Sequence, residues 1–332
     1  MVSLILRLPS PHTSCQPCGY AAATIAQMVS NLHPKQMSPA KTGLLRLTVG
    51  GARRGYGHSH MYWQFYNLKQ NPFSLTSDPA CFFPNPHHEE ALATLIDSLY
   101  KHQGMGALLG DAGLGKTLLL HVYLTLAQQR QYKCIYVAYT DLAFRTLLQV
   151  LYEALGLDFA TATLDMLLAA CQQHSVILGI DDAHLMPTLT LKKLWTLAEY
   201  VASAGAIFHI VLAGHPELDA QLDALALHHL TPAPVVRYTL SPFTSKESRD
   251  YIDHRLAQAT TQAETVFTSR ALTRLIKAAQ GVPGTLNVLC TNALMAGFWT
   301  QQRPVSARIA REVIAQMQAS SPLQLRRWWS WR

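Results

Sequence analysis

The sequence predicts an α/β fold, a parallel five-stranded sheet with helices on both faces, followed by a small all-α subdomain. Three observations lead there. Short continuous apolar runs alternate with amphipathic stretches between His87 and Pro242, the pattern of strands covered on both faces. A glycine-rich loop lies between the first of these runs and the helix behind it. After Pro242 such runs cease while helical periodicity continues.

Taken in order, residues 88–103 carry helical spacing and Met105–Leu109 forms the first strand. Thr117–Gln131 reads as a helix with Leu118, Val122 and Leu126 on one side. Cys134–Tyr139 is the next strand, followed by helices near 142–155 and 162–173. Val176–Ile180, Ile207–Ala213 and Val235–Leu240 complete the sheet, with a helix over Leu189–Ala204. Four further helices are expected near 244–259, 268–280, 284–300 and 305–317.

The chain has 332 residues, 49% apolar and 14% charged, which fits a folded protein with a substantial core. Its net charge of +7 is unevenly spread. Residues 1–60 hold six Lys/Arg and no acid, and residues 322–332 add three arginines. Between them 18 basic residues face 20 acidic ones, so the body lacks the positive field of a protein that coats nucleic acid. No run of eighteen apolar residues is present, and MVSLILRLPSPH lacks the small-residue pattern of a secretory signal. These features set the expectation of a cytoplasmic protein. Cys15 and Cys18 form a lone CxxC with no second ligand pair, which argues against a zinc site, and the other four cysteines read as core thiols.

Four regions are expected. Residues 1–60 mix Pro, Ser, Gly, His and basic residues without sustained period, apart from a short stretch at Ala21–Val29, and read as a poorly ordered extension with Met61 as the functional start. Residues 61–242 form the α/β domain, 243–318 the helical subdomain, and 319–332 an Arg/Trp-rich tail.

The segment Gly110, Asp111, Ala112, Gly113, Leu114, Gly115, Lys116, Thr117 satisfies G-x-x-x-x-G-K-[ST] with a strand before it and a helix after it. Glycines let the backbone turn its N–H groups onto phosphate oxygens, and the helix N-terminus adds partial positive charge. Lys116 then reaches the β- and γ-phosphates of ATP, the Thr117 hydroxyl ligates Mg²⁺, and Leu118 follows on the helix beside the nucleotide. Some sixty residues on, VILGIDDAH brings Asp181 and Asp182 to the end of a buried strand. Asp181 is placed in the Mg²⁺ shell and Asp182 beside the attacking water. His215, at the end of the next strand, is open to two readings: a polar group facing the γ-phosphate, or a histidine in a strand-to-helix turn.

The segments MYWQFYNLKQNPFSLTSDPACFF, His88-Glu89-Glu90-Ala91-Leu92, GDAGLGKT, IDDAH, AGHPEL and GVPGTLNVLCTNALMAGF resemble, in order and spacing, the ExeA/GspA-type AAA+ ATPases of secretion and MSHA-type pilus biogenesis. The resemblance runs from Met61 to about Met317. It implies an ATP-binding P-loop module that works as a homo-oligomer, with an inner-membrane partner of GspB type, to help a secretin assemble. Longer members continue through the membrane, whereas this sequence ends in Arg326-Arg327-Trp328-Trp329-Ser330-Trp331-Arg332, which suits either a membrane interface or a frayed tail.

The departures matter for chemistry. The family places Glu where this sequence has Asp182, an arginine in the stretch that here reads Pro232-Ala233-Pro234, and Gly-x-Pro-Arg where this sequence has Gly281-Val282-Pro283-Gly284. Arg237 matches another family arginine and becomes the candidate trans-acting finger. The aspartate falls short of a glutamate by about 1 Å, a displacement that can cost about 10²-fold in rate. A missing arginine finger can cost about 10³–10⁵-fold. The sequence thus predicts good nucleotide binding with slow hydrolysis. The rival readings are a nucleotide-regulated binding switch without turnover, and a DNA-targeting AAA+ adaptor of the transposition kind, which the near-neutral body disfavours.

Overall fold

A computed structural model of the chain describes residues 60–101, 104–138, 142–226, 235–260 and 265–319. The 1–60 extension apart from His60, the stretch Pro232-Ala233-Pro234 and the Arg/Trp-rich tail lie outside the described residues.

Five parallel strands form one sheet: β1 (Met105–Leu109), β2 (Lys133–Val137), β3 (Val176–Ile180), β4 (Phe208–Gly214) and β5 (Val235–Thr239), in the order β2-β3-β4-β1-β5. β1, β3 and β4 are buried along their whole length, as their unbroken apolar sequences require. Placing β1 between β4 and β5 brings its carboxyl end to the middle of the sheet, where open α/β sheets bind ligands.

Helices cover both faces. On one face α2 (Pro86–Tyr100) and α3 (Lys116–Gln129) pack against Leu108, Ile177, Val211 and Ala213. α2 starts at Asn85, whose Oδ1 accepts from His88 N at 2.9 Å, and proline opens its first turn. On the other face α4 (Phe144–Leu155), α5 (Leu164–Gln173), α6 (Thr188–Ser203) and α7 (Glu217–Ala226) pack against Ala107, Leu109, Leu178, Ile180, Ile210 and Leu212. Alternate strand residues therefore feed two cores, the period-2 geometry of a sheet covered on both sides. The helix α7 was not singled out from the sequence.

The remaining helices, α8 (Ser245–Ala259), α9 (Ser269–Ala279), α10 (Pro283–Trp299) and α11 (Ala307–Ala319), build a third core. α8 is opened by a capping box in which Thr244 and Glu247 bond reciprocally. The aromatic opening segment, which includes the short helix α1 (His60–Phe65), belongs to this core: Tyr62, Tyr66, Leu68 and Phe73 are buried among its helices. Tyr66 donates its hydroxyl to Leu294 O at 3.1 Å, and the buried Arg255 donates to the carbonyls of Pro72 and Ser74 at 2.6 and 3.0 Å.

The turn at Gly281 is one place where the helical core meets the sheet domain. Gly281 has φ +78°, and a Cβ there would overlap the Phe243 carbonyl oxygen. Phe243 N in turn donates to Gly281 O at 2.8 Å, so this turn is fitted around glycine. No helix among the described residues is long and apolar enough to cross a membrane. Of the cysteines predicted to be core thiols, Cys134, Cys171 and Cys290 are buried and Cys81 is half-buried; all four are free.

Candidate nucleotide site

The loop from Gly110 to Gly115 joins the carboxyl end of β1 to the first turn of α3, where Lys116 and Thr117 lie. Lys116 is 6% exposed, and its ammonium is held back over the loop by the carbonyls of Gly110 and Asp111, both at 2.8 Å. Burial pulls its pKa down, opposed by the carboxylates of Asp181, Asp182, Asp111 and Glu217. Phosphate oxygens would be stronger acceptors for the ammonium than these two neutral carbonyls.

Asp181, one residue beyond β3, is 5% exposed. Thr117 donates its hydroxyl to Asp181 Oδ2 at 2.7 Å, Tyr136 donates to the same oxygen at 3.2 Å, and Asp182 N donates to Oδ1 at 3.1 Å. Burial nevertheless raises the Asp181 pKa, and the three donors and their partial charges only offset part of that cost. A hydroxyl and a carboxylate brought together give a small all-oxygen donor set, which fits Mg²⁺. Thr117 and Asp181, the metal ligands expected from the sequence, are the residues that would hold the ion.

Asp182 is exposed and adopts the left-handed conformation, φ 49° and ψ 36°, at the start of a 3-10 turn spanning Ala183–Leu185. Aspartate is among the few non-glycine residues that occupy this region readily. His215 follows β4 directly, and its ring stacks on His184 with centroids 4.2 Å apart and planes 20° apart. Burial lowers the His184 pKa, and the neighbouring His215 lowers it further. Leu114 is buried in the core of the α2–α3 face, with Leu118 partly buried beside it, while Asp111 is exposed.

Two contacts to the loop were not read from the sequence. The buried His88 of α2 meets Leu114 O through Nε2 at 3.2 Å. Gly284 N, in the first turn of α10, donates to Gly113 O at 3.0 Å. Position 284, where the family resemblance calls for arginine, is thus set directly against the phosphate loop. Tyr136 was also missed, since it lies inside an apolar strand and only the β2–β3 register, Val137 beside Ile180, reveals its neighbour.

Arg237 stands apart from this cluster. Its register partner on β1 is Ala107, and its Nη1 pairs with Asp219 at 2.9 Å and Asp223 at 2.6 Å, both on α7. Lys116, Thr117, Asp181 and Asp182 are brought together, with His215 stacked beside them on His184; Arg237 is tied to α7 instead.

Residues 98–222 match the family model of the AAA domain. General secretion pathway protein A of Aeromonas hydrophila is 30% identical over 251 residues, 72% of this chain and 45% of that relative. The chain thus spans less than half of that relative's length. Among solved structures, Cdc6p from Pyrobaculum aerophilum superposes with a TM-score of 0.57 at 18% identity, over 72% of this chain and 68% of that one. The ORC2 protein of Aeropyrum pernix gives 0.56 at 15% identity, over 76% and 73%, and the RuvB branch migration motor of Thermotoga maritima 0.50 at 15%, over 74% and 73%. At such identities the structural likeness concerns the fold alone. Strand order, phosphate loop, acidic strand end and sequence relationship converge: residues 98–222 carry an AAA domain, and over 72% of its length the chain is similar to general secretion pathway protein A, the relationship that the ExeA/GspA-type resemblance led one to expect.

Proposed function

We propose that the chain binds ATP with Mg²⁺ at the β1–α3 loop and hydrolyses it slowly, as an oligomer serving secretin-dependent secretion or pilus assembly. One observation carries the nucleotide reading: Lys116, Thr117 and Asp181 converge on a single loop at the carboxyl end of the central strand. In this reading Lys116 leaves the Gly110 and Asp111 carbonyls for the β- and γ-phosphates. Thr117 and Asp181 hold Mg²⁺, which neutralises charge developing on the phosphate oxygens. Asp182 orients the attacking water, and His215 faces the γ-phosphate.

Slow turnover follows from the same geometry. Asp182 presents its carboxylate about 1 Å short of a glutamate. Gly284 offers only a backbone N–H to the loop, and Arg237 is engaged by Asp219 and Asp223. Binding depends on none of these three groups. The ion pairs on Arg237 favour a second reading, an ATP-dependent switch that recruits partners without meaningful turnover. In the first reading an inner-membrane partner of GspB type and the secretin machinery are the proposed partners, with the chain at the cytoplasmic face of that membrane.

Nucleotide affinity and turnover measured side by side decide between them. The expected result is tight Mg²⁺-dependent binding that Lys116→Ala weakens by more than about tenfold, with turnover below about one per second. Asp182→Glu should raise turnover by about tenfold or more while leaving affinity unchanged. Turnover absent from both the natural chain and Asp182→Glu would leave the switch reading standing. Turnover of several per second in the natural chain would overturn slow hydrolysis.

A further inference from the structure

Beside the Mg²⁺ position lies a second group of ligating side chains with a different character. Asp182, His184 and His215 each offer one donor atom, and the three atoms lie within 4.8 Å of one another. They come from the ends of two hydrogen-bonded strands: Asp182 and His184 from the turn after β3, and His215 from the residue after β4. Because Ile180 pairs with Leu212 in the sheet, the spacing of these two ends is set by rigid structure and not by a free loop.

The fit between the two turns is close. A Cβ on Gly214 would lie 2.8 Å from Leu218 and 3.2 Å from His184 N, so glycine before His215 is what lets β4 run under the His184 backbone. Gln221 of α7 donates to His184 O at 3.2 Å and ties the turn down from the other side. The two imidazoles stack nearly parallel with centroids 4.2 Å apart, which keeps their ring nitrogens close, and chelation of one ion turns the rings out of the stack so that their in-plane lone pairs meet. His184 Nδ1 is buried with no hydrogen-bond partner among the described residues.

We propose that Asp182, His184 and His215 form a binding site for a divalent transition-metal ion, separate from the Mg²⁺ position at Thr117 and Asp181. Two imidazole nitrogens and one carboxylate suit Zn²⁺, Co²⁺ or Ni²⁺, whereas Mg²⁺ prefers the all-oxygen set next door. Metal–nitrogen and metal–oxygen bonds of about 2.1 Å place tetrahedral ligands about 3.4 Å apart. The donor atoms, within 4.8 Å of one another, must close by up to about 1.4 Å to reach that spacing. Three protein ligands leave the fourth position open toward solvent. If the nucleotide reading also holds, occupancy takes Asp182 away from the attacking water and silences hydrolysis, a consequence separable from the binding itself.

The direct test needs no nucleotide, so its outcome is independent of the ATPase reading. The full chain carrying Cys15→Ser and Cys18→Ser is titrated with Co²⁺ and followed by visible absorption. The expected result is one equivalent bound in the micromolar range, with d–d bands, no thiolate charge-transfer band, displacement by Zn²⁺ and resistance to millimolar Mg²⁺. His184→Gln and His215→Gln should each weaken binding by about tenfold or more, and Asp182→Asn should weaken it as well. His254→Ala, in the helical domain, should leave it unchanged. Far-UV circular dichroism confirms that each variant is folded. Absence of binding, or binding that persists in the folded His184→Gln/His215→Gln double variant, would overturn the proposal.

Discussion

Asp181 is held by three donors yet has a raised pKa, because burial outweighs the Thr117, Tyr136 and Asp182 hydrogen bonds. A carboxyl whose folded pKa lies above its unfolded one stabilises the fold below the unfolded value, and that contribution fades as pH rises through the folded one. Burial of the charged form therefore opposes folding, and a cation bound beside it would offset that cost. Asp181→Asn removes the charge and keeps an acceptor for the Thr117 and Tyr136 hydroxyls, while its amide NH2 replaces the oxygen that accepts from Asp182 N. The nucleotide-free variant should melt at a higher temperature than the natural chain, while its Mg²⁺-dependent nucleotide affinity falls by at least about tenfold. Thermal melts with and without Mg²⁺-nucleotide test both halves; a lower nucleotide-free Tm would show that the carboxylate is needed structurally.

At the scale of elements, the turn before α10 decides whether the helical domain reaches the phosphate loop. Gly281 accepts from Phe243 N and leaves no room for a side chain, and three residues later Gly284 N bonds Gly113 O. Gly281→Ala combines left-handed backbone strain with overlap onto the Phe243 carbonyl, together about 2–3 kcal/mol or more. The expected outcome is a lowered Tm, with nucleotide affinity reduced because α10 is displaced from the loop. Unchanged affinity in a destabilised variant would uncouple the turn from the site. The elements themselves were largely legible: β1 and β3 fall where their apolar runs begin and end, and the helices lie within a few residues of their periodic stretches. Helix α7 was missed because AGHPEL reads as a turn, although Glu217 and Asp219 supply the acidic first turn that marks a helix start. The phosphate loop, Asp181 and Asp182 were legible as motifs. The roles of Tyr136, His88 and His184 were not, since each depends on which strand or helix lies beside it, and single-sequence patterns carry no register. Arg237 was found by resemblance, but its partners Asp219 and Asp223 lie on the helix the sequence reading passed over.

The whole molecule is two bodies of core joined at the nucleotide loop. The sheet and its helices hold two hydrophobic clusters, and the third lies wholly in the helical domain with the aromatic opening segment. The junction includes Phe243 against His88, Val282 against the α2–α3 core, the Gly284–Gly113 hydrogen bond, and the segment in which Phe82 joins the sheet-side core while Phe83 packs on Phe243 and Tyr251. A ligand seated on the loop touches the side of this junction that belongs to the sheet and lies beside the side that belongs to α10. Binding to the folded state alone stabilises by about 2.7 kcal/mol at a hundredfold excess over Kd, and here the loop that would take the ligand also accepts the Gly284 N–H from the first turn of α10. Calorimetry of the nucleotide-free chain should therefore show a broad or two-step unfolding, with the helical domain and the sheet domain melting separately. A non-hydrolysable ATP analogue with Mg²⁺ should sharpen it into one transition at higher temperature, and Lys116→Ala should abolish that change. If the nucleotide-free chain already unfolds in one sharp step, the two cores are coupled without ligand, and the helical domain is a fixed wall of the site instead of a part that nucleotide draws in.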